Sequence, residues 1–152
     1  MSKNKKIQES KLKNKKTVTS PPPASDSYCK DPIVWCFDTL DADGLFAFDL
    51  NREDIDHRFL LEKLVSYGKR TWGEIDNDTH DKNKSKLHYL SVDSLSSTAR
   101  KRISEKGLDE DSDVIFSFAF NNRFRFIGLR KNRIFHPVWL DPCHQFCPSS
   151  RK

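Results

Sequence analysis

Residues 113–141, "DVIFSFAFNNRFRFIGLRKNRIFHPVWLD", limit the fold more than any other stretch of this chain. Three runs of β-branched and aromatic residues are separated by Asn121-Asn122 and Lys131-Asn132. Such runs predict a three-stranded antiparallel meander. If both connections are two-residue turns, Leu129 pairs with Ile134, Ile127 with His136, and Arg125 with both Phe118 and Val138. One face then holds Val114, Phe116, Phe118, Phe120, Ile127, Leu129, Ile134 and Val138, together with Arg125 and His136. The other holds Ile115, Phe124, Phe126, Arg130, Arg133, Phe135 and Trp139. The first, more apolar face is expected to receive the helices. Arg125 and His136 stand out on it, because a buried arginine is costly unless it is paired.

Two helices precede the meander. "NREDIDHRFLLEKLVSYGKR" starts at Asn51 as a predicted N-cap, sets Ile55, Phe59, Leu60, Leu64 and Tyr67 along one face, and ends near Gly68. The second helix is predicted from Ser94 to Lys106, with Leu95, Ala99 and Ile103 on one face and Gly107 as its stop. Between them, "TWGEI" at 71–75 has the Thr-x-x-Glu spacing of a capping box and predicts a short turn of helix. The polar "DNDTHDKNKSKL" that follows is expected to be an exposed loop. Upstream, "IVWCFDTLDADGLFAFDL" alternates around Trp35, Phe37, Phe46 and Phe48 with Asp43-Gly44 between them, a hairpin signal. Asp41-x-Asp43-Gly44 lacks the further acceptors and terminal Glu of a calcium loop, so turn chemistry is the better reading. The expected architecture is α+β: an N-terminal hairpin and two helices packed on an antiparallel sheet that ends in the meander.

Residues 1–30 are lysine-rich and contain a triple proline, which predicts a disordered basic arm ahead of a single domain over 31–152. The net charge of +5 is unevenly spread. The arm has eight Lys against Glu9 and Asp26; residues 31–112 have 12 basic and 18 acidic side chains; residues 113–152 have seven basic against Asp113 and Asp141. Basic ends suit contact with a polyanion such as RNA, although a lysine-rich tail also serves simple solubility. No apolar h-region or membrane-length apolar stretch occurs, so a cytoplasmic protein with reduced thiols, outside any membrane, is expected.

The end of the chain concentrates chemistry. "HPVWLDPCHQFCPSS" holds His136, Asp141, Cys143, His144 and Cys147. Cys143-x-x-x-Cys147 falls within zinc-knuckle spacing, and His136, Asp141, Cys29 or Cys36 would have to complete the site. A second close cysteine pair is missing, so no metal or other cofactor is expected. An acid–base reading uses His136 and His144 as proton carriers, Arg125 and Arg130 as phosphate ligands, and His88 and Tyr89 as contributors from the loop. Each residue also has an ordinary structural role open to it: Arg125 paired with an acid such as Glu74, Asp141-Pro142 as a strand-ending turn. Trp72 and Trp139 are expected in the core.

The order of elements is similar to the β-α-α-β-β-β order of the RelE/ParE superfamily of small bacterial toxins, whose endoribonuclease members cut messenger RNA. "TWGEI", "RFIGLR" at 125–130 and "FHPVWLDPCHQFCP" at 135–148 also resemble a pattern of small, mostly uncharacterised bacterial and mobile-element proteins: T-W-x-E-I, R-x-x-G-x-R and F-x-x-x-W-x-D-P-x-H-x-x-x-P. That pattern carries no activity of its own. The toxin resemblance implies a metal-independent endoribonuclease, with Arg125, His136 and His144 at its site and an antitoxin-like protein as partner. The alternative is a non-catalytic interaction or accessory domain in which the same residues are structural. The near-neutral 31–152 region favours that alternative.

Overall fold

The computed structural model describes residues 28–80 and 84–148; the predicted arm, up to residue 27, lies outside them. The elements are β1 (Val34–Trp35), α1 (His57–Gly68), α2 (Trp72–Asp76), β2 (Thr79–His80), β3 (Lys84–Ser85), β4 (Leu87–Tyr89), α3 (Ser97–Glu105), β5 (Ile115–Ala119), β6 (Arg125–Lys131) and β7 (Ile134–Asp141). Five strands form one sheet in the order β1-β7-β6-β5-β4, and β2 and β3 form a separate two-stranded ladder. The fold is α+β with a C-terminal β5-β6-β7 meander. Part of the stretch expected as loop is thus ordered as β2 and β3.

The helices begin where side chains cap them. Asp56, not Asn51, caps α1, its Oδ1 accepting from the Phe59 amide at 3.0 Å. The preceding turn is held by Arg52, which donates to the Ala47 and Leu140 carbonyls and to both Asp54 oxygens. This pins residues 49–54 to the end of β7 and delays the helix. At α2 the capping box is complete: the Thr71 side chain accepts from the Glu74 amide at 3.3 Å, and Glu74 accepts from the Thr71 amide at 2.9 Å. Ser96 caps α3, and Gly107, at φ +66°, follows its end.

The two meander turns differ from those expected: the first is longer than two residues, and the second keeps two residues but lies one position later. Asn121 accepts from the Arg123 and Phe124 amides at 2.8 and 2.7 Å, and Phe120 bonds to the Phe124 carbonyl, so that β5-β6 is joined by a longer turn. Arg125 therefore faces Ala119, not Phe118. The second turn is centred on Asn132-Arg133, with Asn132 at φ +57°, so Leu129 faces His136 instead of Ile134. Further along, the register shifts between Ile127 and Gly128, and Ile127 faces Trp139 while Gly128 faces Pro137. Proline cannot donate to a ladder and sits at such bulges. Gly128 is required there: a Cβ would lie 2.2 Å from the His136 carbonyl oxygen.

These shifts rearrange the faces, since a slip of one residue moves every side chain across the sheet. Phe116, Phe118, Phe124, Phe126, Phe135 and Leu140 join Leu60, Tyr67, Trp72 and Ile75 under α1 and α2. Ile115, Ile127, Leu129, Val138 and Trp139 join Phe46, Ala99, Ile103 and Phe146 beneath α3. Both faces are covered, which explains why β5 is buried at all five positions and why the runs read as continuous apolar stretches. Trp72 and Trp139 are both fully buried, as expected.

Among the described residues no N-terminal hairpin forms. The Asp41–Gly44 turn is present, with Gly44 at φ +86° and the Asp43 amide donating to Asp41 Oδ1. Its two arms bond to β7 as well as to each other. β1 runs parallel to β7, the Asp41 amide donates to the Val138 carbonyl, and the Leu140 amide donates to the Phe46 carbonyl. Beyond β1, β7 has a free side, and residues 36–48 occupy it.

Candidate functional site

The motif-bearing residues fall in four places on this sheet. At the far end of β6 the Arg125 guanidinium is buried. Its Nη1 donates to the Asn121 carbonyl at 2.6 Å and the Phe124 carbonyl at 3.2 Å, and its Nη2 to the Asn122 carbonyl at 3.3 Å. The buried Nε has no hydrogen-bond partner among the described residues. Burial draws the group below the ordinary arginine value, opposed by the charge of Asp141 and by Cys147. Asp141 lies directly across the ladder, with its oxygens taken by the Gln145 and Phe146 amides at 2.9 and 2.8 Å. It acts as the cap of the exit turn. His144 sits in that turn at φ +56°, half-buried. Burial first, then the Arg125 charge, lowers its pKa from the usual histidine value, against an upward pull from Asp141. Arg125 and His144 are thus brought together. The groove outside this turn is lined by Asp54 and Asp56 as well as Arg123, a mixed and partly acidic wall for a phosphate to meet.

Arg130 lies on the opposite face and at the opposite end of β6. It grips Asp76 with two hydrogen bonds of 2.8 and 3.1 Å and lies 4.1 Å over the Trp72 ring. Such a bidentate, stacked arginine is committed at both its edge and its plane. Trp72 donates its indole N–H to the Arg133 carbonyl at 2.9 Å, tying α2 to the β6-β7 turn. His88 and Tyr89 are on β4, the sheet edge farthest from β7, and the Tyr89 ring contacts Phe116.

His136 is on β7 beside β1, away from Arg125. Its Nδ1 lies 2.6 Å from Asp38 Oδ1. Cys36 completes a group of three whose ligand atoms all lie within 4.8 Å of one another. The hydrogen bond to Asp38 raises the Cys36 thiol pKa, and the His136 hydrogen bond holds the Asp38 carboxyl below its usual range. Among the described residues this is the one group of three or more metal-capable side chains that converges; Cys143, His144 and Cys147 do not. Cys143 is exposed, Cys147 contacts Ser94 at 3.4 Å, and all four cysteines are free.

A further centre has no counterpart in the sequence reading. Asp41 is fully buried and receives Arg102 Nε at 2.6 Å, Arg102 Nη2 at 2.7 Å and the Trp139 indole N–H at 2.9 Å. Burial alone would raise its pKa, but these donors and the Asp43 amide outweigh it and lower it to about 2. The Asp-x-Asp-Gly string signals a turn, and nothing local signals a partner 61 positions away.

Arg125, Arg130 and His136 therefore lie at separate places on the sheet, with His144 beside Arg125 and with His88 and Tyr89 on β4. No family model matches this chain, and neither a search of curated proteins nor a search of solved structures finds a match. No helix among the described residues is long and apolar enough to cross a membrane.

Proposed function

We propose that this chain is a small non-catalytic α+β interaction or accessory domain whose motif residues form its internal frame. The observation that carries this reading is where the motif side chains spend their hydrogen bonds. Thr71 and Glu74 close the capping box, Trp72 bonds to Arg133, and Arg125 bonds to its own turn. Arg130 bonds to Asp76, Trp139 to Asp41, and Asp141 to the exit-turn amides. A phosphate ligand needs a guanidinium edge it can reach and fork onto; Arg130 forks onto Asp76, and Arg125 is buried with both terminal nitrogens on turn carbonyls.

The test compares melting with RNA cleavage for the same proteins. Arg125→Ala and Asp141→Ala should each lower the melting temperature markedly, because each strands buried polar partners, while wild-type protein leaves RNA intact. Unchanged melting in both variants would sink the reading.

A second reading, a RelE-like mRNA endoribonuclease held by an antitoxin-like partner, draws on His144. A half-buried imidazole whose pKa is lowered by burial and by a neighbouring cation has the chemistry of an acid–base group. It requires that expression of the wild type arrests growth and cuts RNA, and that His144→Ala, still folded, does neither.

A further inference from the structure

Cys36, Asp38 and His136 converge because the sheet aligns them. β1 pairs with β7 in parallel, Val34 opposite Ile134 and Trp35 opposite Phe135, and the Cys36 amide continues the ladder by donating to the Phe135 carbonyl. Cys36 is thereby set beside His136. Trp35 and Phe135 pack in the aromatic core, so the alternation of the strand places Cys36 and His136 on the other side. Asp38, two residues on in the bend that follows, brings its carboxylate to His136 Nδ1. The backbone beyond it is fixed by hydrogen bonds from Thr39 Oγ1 to the Pro137 carbonyl and from the Asp41 amide to the Val138 carbonyl.

We propose that Cys36, Asp38 and His136 bind a borderline-soft divalent cation of the zinc class, with a fourth position open to water. Thiolate, imidazole and carboxylate together are the donor set such an ion selects. With metal–ligand distances of this class, the donor atoms of a tetrahedral site lie roughly 3.3 to 3.6 Å apart. The 2.6 Å His136–Asp38 contact opens by less than the width of an atom, and the sulfur moves in from within 4.8 Å. Asp38 is 57 % exposed at its side chain, so these are side-chain rotations at a surface the ion can reach. As the metal–sulfur bond forms, the Cys36 thiol loses its proton to solvent. A neutral His136 gives its Nδ1 lone pair to the metal with its proton on Nε2. One proton leaves per ion, and no electrons are transferred.

The test is a Co2+ titration of the full chain under reducing conditions, followed by Zn2+ competition. One Co2+ should bind per chain, with a thiolate-to-cobalt charge-transfer band that Zn2+ bleaches. Cys36→Ser should abolish the band, and the Cys143→Ser/Cys147→Ser double variant should keep it. Asp38→Asn, at an exposed position, should leave melting unchanged and weaken Co2+ binding by at least the roughly tenfold that loss of even an outer partner brings. A wild type that shows no saturable band, or a band that survives Cys36→Ser, would overturn the proposal. Neither result bears on whether the motif residues form the frame.

Discussion

Two arginine sites on the same face of the sheet, one facing a buried carboxylate and one with a buried guanidinium, solve one problem in different ways. Arg102 reaches from α3 to a carboxylate, Asp41, that is itself fully buried and also takes the Trp139 indole N–H. Arg125 reaches back over its own turn to three backbone carbonyls, with its counter-charge, Asp141, occupied by amides. In the first site the charge is neutralised by contact. In the second it is held by dipoles, and one donor, Nε, is left unmatched. A paired ion is expensive to break, whereas an imperfectly matched one is cheap to replace by an apolar group of similar shape. The two sites should therefore respond oppositely to conservative surgery.

Asp41→Ala should give the largest effect. It removes the acceptor for Trp139 and the partner of Arg102 together, a loss on the order of 3 kcal/mol, read as a large drop in denaturation midpoint. The same carboxylate gives a pH signature. Its folded pKa of about 2 lies below the ordinary aspartate value of 3.8. A lowered carboxylate contributes stability that is present above the unfolded value and is lost as pH falls from about 4 towards 2. The difference is worth roughly 2 kcal/mol at one pH unit per 1.36 kcal/mol. Acid unfolding of Asp41→Ala should flatten in that window; an unchanged acid slope would mean that other carboxylates carry it.

Arg125 should divide by substitution. Arg125→Ala leaves a cavity and three carbonyls without their donor. Arg125→Met fills most of the space with apolar atoms, removes the unmatched Nε and leaves carbonyls that lie near the surface turn. Urea melts should show Arg125→Met retaining most of the stability that Arg125→Ala loses, with a difference of about 1–2 kcal/mol. Equal losses would mean that Arg125, like Asp41, is held as a true ion pair, and the contrast between the sites would collapse.

This contrast also shows what can be read from the sequence. The capping box at Thr71–Glu74 was legible because both partners lie three residues apart, and α3 was legible from Ala99, Ile103 and Gly107 for the same local reason. The meander was legible as runs, but not as pairings. Asn121 folds a longer turn by accepting two amides, and Pro137 forces a bulge opposite Gly128. Either event alone exchanges the two faces beyond it. Arg125 was therefore flagged correctly as an anomaly, on an apolar face with His136, yet the register carries His136 to the other end of that face. Asp41 was hidden by its own turn motif. Cys36-x-Asp38 offered a usable signal, two metal-capable residues at strand spacing, but their third member is 98 residues from Asp38 and is brought in only by the parallel β1-β7 pairing.

The smallest effect is also the most local measure of the Arg125 site. His144 feels burial, the Arg125 cation and the Asp141 anion, in that order, and the first two hold its pKa below the usual histidine value. Removing the cation while keeping the volume, as in Arg125→Met, should raise the His144 pKa, because protonation no longer sets two positive charges side by side. Removing the anion, as in Asp141→Asn, should lower it further. Imidazole proton shifts followed by NMR through the titration would resolve both directions. If His144 titrates identically in wild type and Arg125→Met, the two groups are screened from one another, and the exit turn, unlike the Asp41 centre, does not act as one electrostatic unit.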